Sequence, residues 1–79
     1  MKDLLFYLLE SLVDHPEKVQ IEEYQREETI ILSFQVDPTD MGKVIGKGGK
    51  IIKSLRNVVK ILAIKEGKRV DLELKEAVG

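Results

Sequence analysis

The nine residues VIGKGGKII, at positions 44–52, decide how this chain is interpreted. Three glycines among four residues stand between two apolar runs with helical spacing, not at the tip of a hairpin. Glycine admits positive φ angles and lets another backbone approach closely. A helix that begins just after such a loop offers free N–H groups and the positive end of a dipole, both suited to phosphate oxygens. The stretch therefore predicts that the loop from Gly46 to Gly49 binds a sugar-phosphate backbone.

Other glycine-rich phosphate loops are excluded by their register. A Walker A loop needs Lys-Ser or Lys-Thr after its last glycine, whereas Lys50 is followed by Ile51. A dinucleotide fingerprint that began at Gly46 would need a glycine at position 51 and a preceding strand. This chain has Ile51 at that position, and a predicted helical turn precedes the loop. A plain helix-turn-helix connection remains open, and Lys47 and Lys50 count against it.

Charge is strongly polarised along the chain, although the net charge is only −1. Positions 43–69 hold nine basic residues and one acid, and the other positions hold four basic residues and thirteen acids. Such a distribution can present a positive face to phosphates while the remainder keeps the protein soluble. The alternative is that these lysines only solvate a helix.

Upstream of the loop, apolar spacing predicts a helix over about 2–13, which Pro16 follows. Val19, Ile21 and Tyr24 indicate a short strand whose alternation slips at Glu22-Glu23, so we expect a bulge or a twist there. A hairpin turn at 26–28 leads into a central strand over 29–36.

Downstream, residues 37–40 predict a turn, and a brief helix over 41–45 ends at Gly46. A second helix covers 50–64 with Gly67 as its stop, and a last strand follows from Val70 to Leu74. A right-handed crossover makes that strand parallel to the central one. We therefore expect one α+β domain over 1–79, in the order α-β-β-α-α-β, with three helices on one face of a three-stranded mixed sheet.

The helix over 50–64 separates into an apolar and a basic face at about 100° per residue. Ile61 and Ile64 are exceptions, because both project into the basic face. They are either an exposed patch for a second protein or copy, or they pack into the core where the helix frays near Leu62. The apolar face is predicted to comprise Ile51, Ile52, Leu55, Val58, Val59 and Leu62, and the basic face Lys50, Lys53, Arg56, Asn57 and Lys60.

The stretch 44–52, with Leu55 after it, resembles the KH-domain motif with its GxxG loop. The element order resembles the bacterial, type II version of that fold over essentially the whole chain. Residues 40–46 and 54–56 are further similar to the small KhpA-like KH proteins of bacteria. The resemblance implies that the loop binds the RNA backbone. It also implies that apolar neighbours support the loop and form the base of a groove for the nucleotide bases. It assigns the support to Ile45, Ile52 and Leu55, with Val44 beside them, and RNA contacts to Gly46, Lys47, Gly48 and Gly49. The charges near the loop and on the basic face predict further RNA contacts at Lys43, Lys50, Lys53 and Arg56.

The resemblance also has consequences for partners. A KH module clamps about four nucleotides, so one copy has little sequence specificity and useful affinity favours a dimer. We expect sequence-tolerant binding of single-stranded RNA, with single-stranded DNA not distinguished, in an RNA chaperone or post-transcriptional regulator. The resemblance implies a homodimer or a pair with the larger KhpB (Jag-type) RNA-binding protein. The alternative is a dimerisation module in which RNA binding is secondary. Where many relatives carry a longer polar residue, this chain has Gly48.

Residue types argue against an enzyme, a cofactor or a metal site. There is no cysteine and one histidine, His15, which we expect to be a capping or surface residue. Glu22, Glu23, Glu27 and Glu28 lack the spacing of a calcium loop. The four aromatic residues are predicted to pack in or around the core. The missing cysteines and the short apolar runs predict a cytoplasmic protein without a membrane segment.

Overall fold

The computed structural model describes residues 1–75, and its elements follow the order α-β-β-α-α-β. Single turns of 3-10 helix occupy 16–18, 38–40 and 47–49. The predicted fold class is confirmed. The helices are α1 (Lys2–Glu10), α2 (Met41–Ile45) and α3 (Lys50–Lys65), and the strands are β1 (Gln20–Arg26), β2 (Thr29–Gln35) and β3 (Val70–Leu74).

The sheet has β2 at its centre. β1 pairs with β2 in antiparallel fashion and β3 pairs with β2 in parallel, as the right-handed crossover requires. A two-residue turn joins β1 to β2, and Glu27 adopts a positive φ of 57° there. The pairing of β1 with β2 runs one residue to one residue from Gln20↔Gln35 to Arg26↔Thr29. The predicted bulge at Glu22-Glu23 is therefore wrong, and β1 instead places Ile21 and Tyr24 on opposite faces of the sheet.

The core lies between the helices and one face of the sheet. Alternation along β2 turns Leu32 and Phe34 toward the helices, and the spacing of α1 and α3 meets them with a continuous apolar stripe. Each of these side chains excludes water almost completely, which stabilises a domain by about 1.5–3 kcal/mol per large apolar residue. The innermost members are Leu5, Leu9, Leu32, Phe34, Val44, Val59 and Ala63.

Two details at the first helix differ from the sequence prediction. α1 ends at Glu10 rather than near position 13, because a tight turn follows in which the Leu12 and Val13 N–H groups both donate to the Leu9 carbonyl. Phe6 and Tyr7 are 38% and 67% exposed, so the expectation that all aromatic residues pack in or around the core is wrong for Tyr7. Phe34 is fully buried as expected.

Asp40 fixes the position of α2 against the loop that follows α1. Its side chain is 1% exposed, and it accepts hydrogen bonds from the N–H groups of Asp14 (3.2 Å) and His15 (3.0 Å) and lies 3.2 Å from His15 Nδ1. Burial alone would raise the pKa of Asp40, but these three partners outweigh it and hold the pKa below the ordinary value. The His15 side chain remains 45% exposed, which fits the predicted surface position, and Ser11 rather than His15 caps α1.

α3 ends as Gly67 predicts. Gly67 has a φ of 72°, its N–H donates to the Ile64 carbonyl (2.9 Å), and the Lys68 N–H donates to the Ala63 carbonyl (2.9 Å). These bonds satisfy carbonyls that a helix end leaves free. The chain then turns directly into β3. Across residues 1–75, every helix is too short or too polar to cross a lipid bilayer.

Candidate nucleic-acid interface

The loop between α2 and α3 has a backbone that only glycine adopts readily. Gly46, Gly48 and Gly49 have φ angles of 76°, 66° and 74°, all in the positive region. The Gly46 N–H closes α2 by donating to the Gly42 carbonyl (2.9 Å), and the Gly49 N–H donates back to the Gly46 carbonyl (3.1 Å). α3 starts at once afterwards, and no side chain caps its first turn. The positive end of α3 is therefore presented next to the loop.

Gly46 is required by packing as well as by conformation. A Cβ atom at this position would lie 2.6 Å from Ile51 Cγ1 and 2.9 Å from Ile51 Cβ, which is closer than real atoms approach. Ile51 can therefore lie directly over the loop backbone only because residue 46 has no side chain. At Gly48 the same position is open space. At Gly49 a Cβ atom would meet only Ile52 Cγ2, at an ordinary 4.0 Å, so Gly46 alone among the three loop glycines is required by packing.

Three of the predicted cations surround the loop with their charges available. Lys47, Lys50 and Lys53 are exposed, and among residues 1–75 none of them has an acidic group within ion-pair distance. Lys43 differs, because its ammonium group is hydrogen-bonded to the Asp14 carboxylate, which raises the pKa of Lys43. The structure thus leaves Lys47, Lys50 and Lys53 as the most accessible cations of the predicted set.

Arg56 lies away from the loop and faces β3. Its guanidinium Nη2 donates to the Leu72 carbonyl (3.3 Å), and its Nε is 3.5 Å from Asp71 Oδ1. Lys60 Nζ lies 3.9 Å from the same carboxylate oxygen. Arg56, Lys60 and Asp71 line the contact between α3 and β3, which we call the α3–β3 seam. By helical spacing, Lys53 lies on the same side of α3, two turns before Lys60. Arg56 is consequently half-buried and already engaged with the protein backbone.

The apolar residues predicted to support the loop have different positions. Val44 is fully buried and Leu55 nearly so, whereas Ile52 is partly covered and Ile45 is 36% exposed. Leu55 also lines a groove of about 250 Å³ between α1 and α3. The spacing of both helices reveals these apolar positions, but the groove between them depends on how α1 packs beside α3 and could not be predicted from the sequence. Its apolar lining comprises Leu8, Leu12, Ile51, Leu55 and Val58.

Ile61 and Ile64 project into solvent from the outer face of α3. The helix continues to Lys65 without fraying, and the two side chains are 56% and 70% exposed. The alternative in which both pack into the core is therefore wrong. Val58, which was predicted to belong to the packed face, is 42% exposed, and the small side chain of Ala63 takes a core position instead. We call Ile61 and Ile64 the interaction patch.

Comparison with known proteins gives a consistent result. The family model described as KhpA/KhpB, KH domain, matches residues 2–74. An RNA-binding protein KhpA from Clostridium perfringens is 54% identical over 74 residues, which cover 94% of this chain and 99% of the relative. The protein of the same name from Clostridium acetobutylicum is 53% identical over 74 residues, with the same coverage. That from Aquifex aeolicus is 41% identical over 76 residues, covering 96% of each chain.

A solved structure supports the fold independently. The crystal structure of Aquifex aeolicus Era bound to GDP and aluminium fluoride superposes with a TM-score of 0.61 at 17% sequence identity. The match covers 94% of this chain and 29% of the Era chain. At that identity the similarity concerns the fold alone.

Proposed function

The chain belongs to the KhpA/KhpB family of KH domains, and from this membership we propose that it binds single-stranded RNA with little sequence preference. The glycine loop at 46–49 holds the sugar-phosphate backbone, and the basic face of α3 supplies the charge. The observation that carries this proposal is a loop of three positive-φ glycines that opens directly into the uncapped end of α3. Relatives named RNA-binding protein KhpA support RNA as the ligand.

Each residue of the loop has a separate part in this binding. Gly46 and Gly49 shape the backbone so that a strand can approach it, and Lys47 and Gly48 occupy the two positions that meet phosphates. Lys50 and Lys53 extend the positive surface into the first turns of α3. Lys43 reaches phosphates only if it leaves Asp14, and Arg56 only if it leaves Leu72. The central contacts therefore belong to Lys47, Lys50 and Lys53.

This function is one of binding and needs no catalytic group, cofactor or metal. Within residues 1–75, no three His, Asp or Glu side chains come close enough to hold a metal ion. We propose that the chain acts as one KH unit in the cytoplasm, as an RNA chaperone or post-transcriptional regulator. Four nucleotides give a single unit weak affinity, so association with a second RNA-binding unit would make the complex effective.

A second role is favoured by the exposure of the interaction patch. Two isoleucines on the outer face of a helix cost solvation free energy unless another surface covers them. We propose that a second copy, or a KhpB (Jag-type) protein, packs on Ile61 and Ile64. This role is compatible with RNA binding at the glycine loop, because the patch and that loop lie at opposite ends of α3.

The RNA proposal is tested by reversing the loop's charge. Lys47→Asp combined with Gly48→Asp places two carboxylates where phosphates would lie, and aspartate tolerates the positive φ of residue 48. We expect anisotropy titrations with a labelled, unstructured RNA to show at least about a hundredfold loss of affinity. If roughly four cations touch phosphates, the log–log salt slope of the unmodified protein is about −3.

Lys18→Glu combined with Gln20→Glu is the matched control. It changes the net charge by the same amount at exposed positions away from the loop. Equal affinities of the loop variant and the unmodified protein would refute the clamp, and equal losses in both variants would reduce it to a nonspecific charge effect. A parallel titration with DNA of the same sequence measures the preference for RNA.

A further inference from the structure

A basic cavity lies at the opposite end of α3 from the glycine loop. Its volume is about 280 Å³, which is near the lower limit for a ligand pocket. Three cations and one carboxylate surround it, so it carries an excess of positive charge. The lining includes Lys60, Ile64, Lys68, Arg69, Val70 and Asp71.

The walls of this cavity are fixed by the backbone. The Lys68 N–H donates to the Ala63 carbonyl (2.9 Å), and the Arg69 carbonyl accepts from the Ile30 N–H (2.8 Å). Residues 68–69 are thereby held between the end of α3 and the start of β2. The negative end of the α3 dipole is partly satisfied, because the Ile64 and Ala63 carbonyls already accept hydrogen bonds from Gly67 and Lys68. An anion in the cavity is therefore attracted by the three cations more than it is repelled by the carbonyl groups at the end of α3.

The α3–β3 seam connects this cavity to the glycine loop. Lys53 and Lys60 are separated by two turns on one side of α3, or about 10 Å along its axis. Lys60 belongs both to the seam and to the cavity, and so does its partner Asp71. A chain of positive charge thus runs from Lys47 through Lys53 and Lys60 to Lys68. A strand that leaves the loop along the seam stays within reach of a cation throughout.

We propose that the cavity is a second nucleotide site for the same RNA strand. Lys68 and Arg69 bind a phosphate there, and the exposed side chain of Ile64 provides an apolar surface for the base. This inference rests on the proposed function of the glycine loop and lengthens its footprint beyond the four nucleotides that such a loop clamps. An acidic protein segment would meet the same charge, but the continuity of the seam with the loop favours the strand already held there.

The test compares oligouridylates of four and eight nucleotides. For the unmodified protein we expect the longer strand to bind about tenfold more tightly or better, and its salt slope to be steeper by about 0.7 for the one added phosphate contact. Lys68→Gln combined with Arg69→Gln should remove that gain and leave the affinity for the tetranucleotide within about twofold. Amide chemical shifts of residues 68–70 should respond to the octanucleotide and not to the tetranucleotide.

Lys2→Gln combined with Lys65→Gln removes the same charge at exposed positions outside the cavity and should preserve the length dependence. Because Ile64 is shared with the interaction patch, the titrations are made below the protein concentration at which the chain self-associates. The second site would be overturned if the unmodified protein bound both lengths with equal affinity. It would also be overturned if the Lys68/Arg69 variant lost equal affinity for both lengths. Either result would leave the loop proposal intact. If no RNA of either length binds, the proposed function itself fails and this inference fails with it.

Discussion

Gly46 and Gly42 are four residues apart and respond in opposite ways to the same added methyl group. Gly46→Ala forces a Cβ to within 2.6 Å of Ile51 at a φ of 76°, so either Ile51 moves or the loop changes conformation. We expect the free energy of unfolding to fall by about 1–3 kcal/mol. The RNA affinity of the folded protein should also fall, because the loop that holds the strand is displaced. Urea denaturation measures the first quantity and anisotropy titration the second.

Gly42→Ala is the matched control for that substitution. Residue 42 is helical, and a Cβ there meets nothing within 4 Å. Alanine should therefore be neutral or stabilise α2 by up to about 1 kcal/mol. Equal stabilities of the Gly46 and Gly42 variants would show that the contact with Ile51 does not constrain the loop.

Asp40 stabilises the fold through its negative charge, which gives a testable pH dependence. Its pKa is lowered in the folded state, so its contribution is fully present above the ordinary value of 3.8 and is lost as the pH falls through the folded-state pKa. Asp40→Asn should lower the melting temperature by roughly 5–10 °C at neutral pH. The difference from the unmodified protein should shrink below the ordinary pKa.

Glu23→Gln, at an exposed position on β1, is the control for general charge effects and should change the melting temperature little. The measurement is a series of thermal melts by circular dichroism between neutral pH and about pH 3. A melting-temperature difference for Asp40→Asn that is independent of pH would mean that shape, and not ionisation, makes the residue important.

At the level of the helix, α3 distinguishes two adjacent valines that the sequence treats alike. Val59 is fully buried beneath the sheet, whereas Val58 is 42% exposed at the rim of the groove beside α1. Val59→Ala should cost about 2–3 kcal/mol of unfolding free energy, because it leaves a cavity. Val58→Ala should change it by less than about 0.5 kcal/mol. Similar losses in urea denaturation would mean that the groove is closed in solution.

The same pair of valines illustrates what periodicity can and cannot predict. Angular position on α3 identifies the core face to within one residue, but neighbours decide whether the edge of that face is covered, and α1 leaves Val58 open. The slipped alternation in β1 indicates a bulge only if Ile21 and Tyr24 face the same side of the sheet. Tyr24 instead lies on the other face, where its hydroxyl donates to Glu73 (3.0 Å). Apolar character alone could not assign that face.

The glycine loop was predictable in detail because its constraints are local. Positive φ angles and the immediate start of α3 follow from residues that are adjacent in sequence. The partners of the cations were not predictable, because they come from distant segments. Asp14 pairs with Lys43 across 29 positions, and the Leu72 carbonyl meets Arg56 across 16. For the same reason, the cavity at Lys68 and Arg69 became visible only when β3 was placed beside α3.

On the scale of the whole molecule, charge separates the proposed roles. Several of the acids lie on β1 and its hairpin, whereas positions 50–69 carry six of the twelve exposed cations among residues 1–75. Lysines 60, 65 and 68 also surround the interaction patch. Two copies that met through Ile61 and Ile64 would therefore bring like charges together. Salt screens that repulsion and should therefore favour self-association. The same salt weakens the contacts between lysines and phosphates and should therefore disfavour RNA binding.

Opposite responses to salt follow for the two activities. Sedimentation equilibrium should show self-association that strengthens between about 0.05 M and about 0.5 M salt, over the range in which RNA affinity falls. Ile64→Glu should abolish the association at both salt concentrations, because it buries a charge against an apolar surface. Tyr7→Glu makes the same change at a 67% exposed position on α1 and should leave the association unchanged. Identical monomers for the unmodified protein and Ile64→Glu would exclude a second copy at the patch and favour a different protein there.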